Sequence, residues 1–200
     1  MKFLSKAAES DILKQNFVYK KGSTKQNAVL RKSLLIEQKG FCAYTEEYLL
    51  ENTLSPEVEH FNPDKKGDDD YYNYYVVSRF ANQRKMKIDR KGDYKSASFF
   101  ATLFFQNKDE FNERVKYKDG IYKAMNENDI EATQFIEYMG FNNEIIFKKR
   151  ANAMRRLKNS IGNFSDEEKI EYLKDEEKDI LSFPTAIETE FNLDLSNLLL

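Results

Sequence analysis

The only histidine of the chain, His60, directly follows a glutamate in the segment Val58–Pro63. A neutral imidazole can take a proton from water at physiological pH, and carboxylate and amide oxygens suit a hard divalent ion such as Mg²⁺. Side chains of neighbouring extended residues point to opposite sides, so Glu59 can face an ion while His60 faces an attacking water. Asn82, farther along the chain, can complete the ion site. These residue types predict metal-assisted hydrolysis of a phosphodiester.

The elements around the histidine follow from local sequence signals. Residues 57–62 lie between two prolines and predict a short extended segment that enters a polar, glycine-containing loop over residues 65–73. The next segment, "YYVVSRFANQRKMK", predicts a helix over residues 74–87 with Tyr74 and Val77 facing inward. Asn82 would then come from a helix that faces the extended segment.

The rest of the chain is mainly a series of predicted helices. "GFCAYTEEYLL" predicts a short strand or hairpin, whereas the aromatic segment 96–107 fits either a strand or a helix. A helix is predicted over residues 24–39 after a capping box at Ser23, and another is capped by Asn128 and ended by Gly140. Further helices are predicted over residues 144–162 and from a capping box at Ser165 and Glu168 to Pro184. The apolar tail is expected to dock on the body or on a partner chain.

Composition indicates a folded, cytoplasmic protein. The chain has 200 residues, 40% of them hydrophobic, with 16 Phe and 12 Tyr, so it can bury one core beneath a highly charged surface. A net charge of −2 argues against a general nucleic-acid binder, although local basic patches remain possible. The lone Cys42 excludes an internal disulfide, and we expect neither a signal peptide nor a membrane span.

Four blocks, "GFCAYT", "VEHFNP", "YYNYYVVS" and "ANQRK", resemble successive motifs of the HNH, or ββα-metal, endonuclease family. The separations 73 − 60 = 13 and 82 − 73 = 9 are typical of that family. The resemblance implies that Glu59 and Asn82 hold one Mg²⁺ or Mn²⁺ ion and that His60 is the general base. It also implies that Asn73 braces the loop that positions His60.

The same resemblance implies DNA as the substrate, with Lys85 near the phosphate and Arg84 as a second phosphate ligand. The expected fold is α+β and mostly helical. It would consist of an N-terminal helical segment (residues 1–37), an HNH core (38–90) and a C-terminal helical region (91–200).

The chain departs from the family at its zinc knuckles. Many relatives carry two Cys-x-x-Cys pairs, but the matching positions here read Cys42 to Thr45 and Ser78 to Ala81. Because one soft ligand cannot make a tetrahedral zinc site, no structural zinc is expected. Packing through Phe41, Tyr44 and Phe80 is expected to join the hairpin to the helix instead.

A longer segment, Asp119 to Met154, is similar to HNH proteins that accompany ATPases in bacterial phage defence, including the Septu and retron-associated types. This similarity implies an ATPase partner. The alternative is a catalytically decayed HNH-like subunit that binds nucleic acid or assembles with a partner.

Each motif also has a purely structural interpretation. Asn82 can be a helix N-cap, and Cys42 can be a buried, unreactive thiol. The acidic run 68–70 fits a solvated loop better than a calcium loop. The basic run Lys148–Lys158 is either a DNA contact or a solvated helix face.

Overall fold

The computed structural model describes residues 1–49, 56–67, 70–176 and 178–199. The α-helices in these ranges are α1 (Asp11–Lys14), α2 (Thr24–Glu37), α3 (Arg79–Lys91), α4 (Phe99–Thr102), α5 (Lys108–Arg114), α6 (Ile130–Met139), α7 (Glu144–Ile161), α8 (Asp166–Asp175) and α9 (Pro184–Phe191). Short 3-10 helices cover Pro63–Lys65, Tyr71–Asn73, Phe104–Gln106 and Lys178–Leu181. The strands β1 (Glu57–His60) and β2 (Tyr74–Val77) form one antiparallel sheet, and β3 (Val115–Lys118) and β4 (Ile121–Ala124) form another. The predicted α+β, mostly helical class is confirmed.

A loop connects the paired strands β1 and β2, and a single residue separates the end of β2 from the start of α3. Glu59 lies opposite Tyr75 and His60 lies opposite Tyr74. Because opposed residues share a sheet face and neighbours alternate, the side chains of Glu59 and His60 point to opposite faces.

The predicted helix over residues 74–87 is wrong at its beginning. Tyr74–Val77 is strand β2, and all four residues are buried. A strand covered on both faces has no alternating pattern, so its apolar run resembles the inward side of a helix. Helix α3 begins at Arg79 because the Ser78 side chain accepts a hydrogen bond from the Ala81 amide.

The predicted hairpin after α2 is present in its described part, where Phe41 and Tyr48 form a β-bridge. Gln38 connects this hairpin to β2. Its amide nitrogen donates to the carbonyls of Phe41 (2.8 Å) and Val76 (2.7 Å), and its oxygen accepts from the Val76 amide (2.8 Å). Leu50, the last residue of the predicted segment, lies outside the described residues.

The β3–β4 hairpin was not predicted, although its sequence carries a signal. Asp119 and Gly120 form the turn, both with positive φ (54° and 82°). An Asp-Gly pair between alternating residues favours a two-residue hairpin turn. The turn signal is short, and the residues that follow it form the helices α6 and α7.

Capping residues set the observed helix ends. The capping box of Ser165 and Glu168 is present at the start of α8. The prediction that Pro184 ends this helix is wrong, because α8 ends at Asp175 and Pro184 is the first residue of α9. Proline suits that position because its missing N–H has no helical acceptor there.

Two further ends differ slightly from the prediction. Asp129, not Asn128, caps α6 by accepting from the Ala132 amide, and Gly140 ends it in the left-handed conformation as predicted. The ambiguous aromatic segment over residues 96–107 contains helical turns, α4 and the 3-10 helix after it.

Buried side chains from all three predicted segments form one hydrophobic cluster. Phe61, the residue after His60, lies among aromatic rings of the C-terminal region, with centroids 4.5 Å from Phe105 and 5.8 Å from Tyr138. The packing of Phe61 therefore fixes the end of β1. In the tail, Leu193 and Leu195 are buried in the same cluster, so this part docks on the body.

No helix in the described parts of the chain combines the length and apolar character needed to cross a membrane.

Candidate functional site

Two polar contacts join β1 to α3 side by side. Asn82 Nδ2 donates to Glu57 Oε2 at 2.6 Å, and Lys85 Nζ lies 2.8 Å from Glu59 Oε1. Glu57 and Glu59 are two residues apart on one strand face, and Asn82 and Lys85 are three apart on one helix face. Helix neighbours at this spacing have Cβ atoms about 5–6 Å apart. The predicted ligands Glu59 and Asn82 therefore lie on the same face, in adjacent contacts.

Lys85, predicted to approach a phosphate, is instead 1% exposed. Its ammonium contacts Asp89 Oδ2 at 2.8 Å as well as Glu59, and it donates to the His60 carbonyl at 3.2 Å. A buried ammonium needs such compensation, because its desolvation is costly. In this structure Lys85 holds β1 against α3.

Burial dominates the electrostatics of Glu59. Desolvation raises the pKa of its carboxyl above the ordinary value, while the attraction of Lys85 opposes that rise. The Tyr44 hydroxyl lies in the field of this carboxyl, and burial, then repulsion from Glu59, raises the pKa of Tyr44 well above its ordinary value. Tyr44 therefore stays protonated and can donate a hydrogen bond.

Within the described part of the chain, two buried polar atoms at this site lack hydrogen-bond partners. Asn82 Oδ1 and the Tyr44 hydroxyl have none, and Glu59 Oε1 has only the contact with Lys85. Such atoms are uncommon in native proteins, so they are positions where a water or an ion can bind. The oxygens of Glu59 and Asn82 fit one hydrated Mg²⁺ or Mn²⁺ ion. The Lys85 ammonium and such an ion would compete for the Glu59 carboxylate.

The site contains fewer acidic ligands than a typical metal centre. Within the described residues, no three His, Cys, Asp or Glu side chains converge in a way that could hold a metal. Any ion held by Glu59 and Asn82 therefore takes most of its ligands from water or substrate.

The imidazole of His60 lies on the other face of the β1–β2 sheet. Its ring packs edge-on against Tyr19 (4.9 Å between centroids) and Tyr74 (5.1 Å), and the residue is 7% exposed. The structure thus brings Glu59 and Asn82 to one face of the sheet. His60 lies on the opposite face, against the N-terminal segment that contains Tyr19.

Asn73 braces the loop that follows His60. Its Oδ1 accepts from the Asn62 amide at 2.6 Å, and its Nδ2 donates to the carbonyls of Asn62 (3.1 Å) and Lys65 (3.4 Å). The Phe61 amide also donates to the Asn73 carbonyl at 2.8 Å. These bonds hold together the two ends of the loop between β1 and β2.

Arg84, the second predicted phosphate ligand, is occupied elsewhere. Its guanidinium donates to the carbonyls of Tyr138 (3.1 Å) and Glu137 (3.0 Å) at the C-terminal end of α6. A helix C-terminus carries partial negative charge and unpaired carbonyls, so it attracts such a cation. In this structure Arg84 ties α3 to α6.

The four positions that match the zinc knuckles lie together without a metal-binding set. Cys42 Sγ accepts from the Ser78 amide at 3.3 Å, and Thr45 also hydrogen-bonds the thiol. Ser78 in turn caps Ala81. Burial raises the pKa of the Cys42 thiol, which favours the protonated, unreactive form.

Part of the basic run Lys148–Lys158 is neutralised within the chain. Lys148 pairs with Glu144 at 2.5 Å, and Lys149 pairs with Glu47 at 2.6 Å. In the acidic run 68–70, Asp70 caps a 3-10 helix through the Tyr72 amide, and Asp68 and Asp69 lie outside the described residues.

The sequence prediction missed several residues of the site. Asp89 contacts Lys85, and Tyr138 donates to Asp89 Oδ1 at 2.8 Å. The spacing of Lys85 and Asp89 by four residues on a helix was an available signal for that pair. The parts played by Tyr44 and Tyr138 depend on tertiary contacts and had no local signal.

Comparisons with protein-family models, with curated proteins and with solved structures each found no match to this chain.

Proposed function

We propose that the chain is a metal-dependent HNH-type endonuclease that hydrolyses phosphodiester bonds of DNA. The observation that carries the proposal is the pairing of β1 with α3, where Glu59 and the unpartnered, buried Oδ1 of Asn82 lie on one face. The strand, braced loop, strand and helix occur in the order that the family resemblance implies. The small core at residues 38–90 would be of the ββα-metal type.

Each residue has a defined role in this proposal. Glu59 and Asn82 hold one Mg²⁺ or Mn²⁺ ion, which supplies positive charge to the scissile phosphate. His60 takes a proton from the attacking water, and Asn73 keeps the loop after His60 in place. Because Tyr19 covers the imidazole, the segment around Tyr19 must move before DNA can reach it.

Lys85 and Arg84 remain the proposed phosphate contacts, but each must first leave an internal partner. Lys85 would release Glu59, which would free that carboxylate for the ion. The structure therefore corresponds to a resting arrangement in this proposal.

The cellular setting is proposed from the resemblance of residues 119–154 alone. The chain would be the cytoplasmic nuclease effector of a bacterial antiviral defence system and would act with an ATPase partner. Such a partner would contribute part of the affinity for DNA, because a chain with a net charge of −2 has little general attraction for it.

A second candidate is a non-catalytic, HNH-like subunit that binds nucleic acid or assembles with a partner. It is favoured by the Lys85 ammonium, which occupies the Glu59 carboxylate, and by the buried position of His60.

Cleavage of supercoiled plasmid DNA in Mg²⁺ and in Mn²⁺ separates the two candidates. Wild-type protein should nick the plasmid, and His60→Ala should lose this activity because no other histidine can replace the base. Circular dichroism and thermal unfolding of His60→Ala control for the fold. Cleavage by His60→Ala at the wild-type rate would contradict the proposal. Binding of DNA by the wild type without cleavage in either ion would support the second candidate.

Ion binding can be measured without activity, by titrating the protein with Mn²⁺ and following the electron paramagnetic resonance signal of the free ion. Asn82→Leu has a similar volume but no oxygen donor, so it should bind Mn²⁺ more weakly than wild type. Asn82→Asp adds a negative charge and should bind at least as tightly as wild type. Equal Mn²⁺ affinity of the leucine variant and wild type would exclude Asn82 as a ligand.

A further inference from the structure

A cavity of about 700 Å³ lies between the β3–β4 turn, α7 and α9, away from the Glu59 site. Its size is in the range of pockets that bind small molecules. None of the residues proposed for phosphodiester hydrolysis lines it.

Basic side chains outnumber acidic ones around this cavity by three to two. Lys118, Arg155 and Lys158 line it together with two acids, Asp119 and Glu190. Glu190 is occupied, because Lys158 lies 2.9 Å from its carboxylate. Among the described residues, no carboxylate is within ion-pair distance of Lys118 or Arg155, although Arg155 donates to the Asn152 side chain at 3.2 Å.

A buried arginine adds positive charge behind the cavity wall. Arg150 is 2% exposed and donates to the carbonyls of Gly120 (2.9 Å) and Phe141 (3.1 Å). Its Nε has no hydrogen-bond partner among the residues that the structure describes. Its guanidinium lies 5.3 Å from the Tyr117 ring centroid, and Tyr117 and Gly120 both line the cavity. A buried cation whose partners are carbonyls and tyrosine side chains favours an anion nearby.

Aromatic surface lies beside these charges. Phe147, on α7, is 37% exposed and lines the cavity. Tyr117 donates to Glu190 at 2.9 Å, and burial, then this bond, raises the pKa of Tyr117 to about 12, so the phenol stays neutral. An exposed ring beside unpaired cations is the combination that binds a base and its phosphate.

We propose that this cavity binds a nucleoside phosphate, with the phosphate on Lys118 and Arg155 and the base on Phe147. The ligand is either a free nucleotide or one unit of a single-stranded DNA. An acidic peptide offers the charge but not the flat base, so the exposed ring favours the nucleotide. The proposal is independent of nuclease activity at Glu59 and His60.

The test uses the full chain with His60→Ala, in EDTA, so that cleavage cannot interfere. The probes for calorimetric titration are deoxyadenosine 5′-phosphate, deoxyadenosine, inorganic phosphate and a short oligothymidylate. We expect the nucleotide, the oligonucleotide or both to bind, and to bind more tightly than deoxyadenosine or phosphate alone. Binding of only one of the two identifies the source of the ligand.

Matched variants then assign the binding to this cavity. Lys118→Gln with Arg155→Gln should weaken it by about tenfold or more, whereas Lys25→Gln with Lys32→Gln removes the same charge from the exposed face of α2 and should not. Phe147→Leu should also weaken binding by about tenfold. Phe164→Leu is its control, because Phe164 is similarly exposed (40%) and does not line the cavity.

Three results would overturn the proposal. The first is no binding of either nucleotide probe at millimolar concentration. The second is binding that the cavity variants weaken no more than their controls do, provided that thermal unfolding shows folded variants. The third is equal competition by polyglutamate, which would indicate a site for negative charge alone. None of these results depends on whether the plasmid is cleaved.

Discussion

The ammonium group of Lys85 decides the chemistry that is open to Glu59. In the sequence, Lys85 is one of several charged residues near Asn82, and no local pattern indicates that its side chain is buried. In the structure it is buried between Glu59 and Asp89. Release of this ion pair is therefore the residue-scale event on which metal binding would depend.

Another lysine gives a prediction about pH. Lys6 lies over the rings of Tyr71 (4.4 Å) and Tyr75 (4.2 Å), and burial lowers its pKa from 10.5 to about 7, against the opposing attraction of Glu37 and Asp70. The folded state thus disfavours the charged form. Between about pH 7 and 10.5 the unfolded chain binds more protons, so the stability of the wild type rises with pH in that window.

Lys6→Met removes this titration. Relative to the variant, the wild type should be least stable at or below about pH 7 and should gain stability as the pH rises toward 10.5. Urea unfolding of both proteins at several pH values measures this difference. A difference in unfolding free energy that stays constant across the window would refute the assigned cause.

At the scale of elements, the loop between β1 and β2 depends on Asn73. Asn73→Ala leaves the Asn62 amide and carbonyl without their buried partner, so we expect a loss of about 2 kcal/mol in unfolding free energy. Asn27→Ala is a matched control, because Asn27 makes the same pair of bonds with the Lys20 backbone at an exposed site. Asn27→Ala should lower the unfolding free energy clearly less than Asn73→Ala does. If urea unfolding shows equal losses for both variants, burial of the Asn73–Asn62 hydrogen bonds adds nothing to stability.

The contact of α3 with α6 can be tested at Gly140. A Cβ atom there would lie 1.8 Å from the Arg84 guanidinium carbon, and Gly140 also has a positive φ of 66°. Gly140→Ala should therefore displace Arg84 in addition to straining the backbone. Gly92→Ala is the control, with φ of 78° and only an ordinary contact with Lys95 at 3.4 Å.

We expect Gly140→Ala to destabilise the protein by about 1 kcal/mol more than Gly92→Ala does, since it also loses charge-assisted hydrogen bonds. In an Arg84→Met background this excess should disappear. If it persists there, Arg84 is not the reason for the glycine.

At the scale of the whole molecule, Glu46 joins segments that are far apart in sequence. Its buried carboxylate accepts from the Lys2 amide (2.6 Å), the Tyr122 hydroxyl (3.2 Å) and the Thr185 hydroxyl (2.7 Å). The N-terminus, the β3–β4 hairpin and α9 therefore meet at a single acid.

Thr185→Val removes one of these donors and keeps the side-chain shape. Because the bond goes to a buried charge, the expected loss of unfolding free energy is about 1.5–3 kcal/mol. Thr189→Val, one turn later in α9, removes only an exposed bond to a helix carbonyl and should cost much less. Urea unfolding measures both losses. A similar small loss in both variants would show that the Thr185–Glu46 hydrogen bond contributes little to stability.

Local signals predicted much of the fold. The capping box at Ser165 and the glycine after α6 mark helix ends through hydrogen bonds and backbone freedom within a few residues. Strand β2 was misread as helix because burial on both faces removes the alternating pattern. The β3–β4 hairpin was missed although Asp119 and Gly120 signalled its turn.

The sequence by itself determined the α+β class, several helix ends such as the starts of α2, α7 and α8, the extended segment that carries Glu59 and His60, and the spacing that places Asn82 on a following helix. Only the tertiary structure decided that Lys85 pairs with Glu59 and that His60 lies beneath Tyr19. Those contacts join residues 26 (85 − 59) and 41 (60 − 19) positions apart. They are set by how the sheet, α3 and the N-terminal segment pack, because partners so distant leave no pattern in any one stretch of chain.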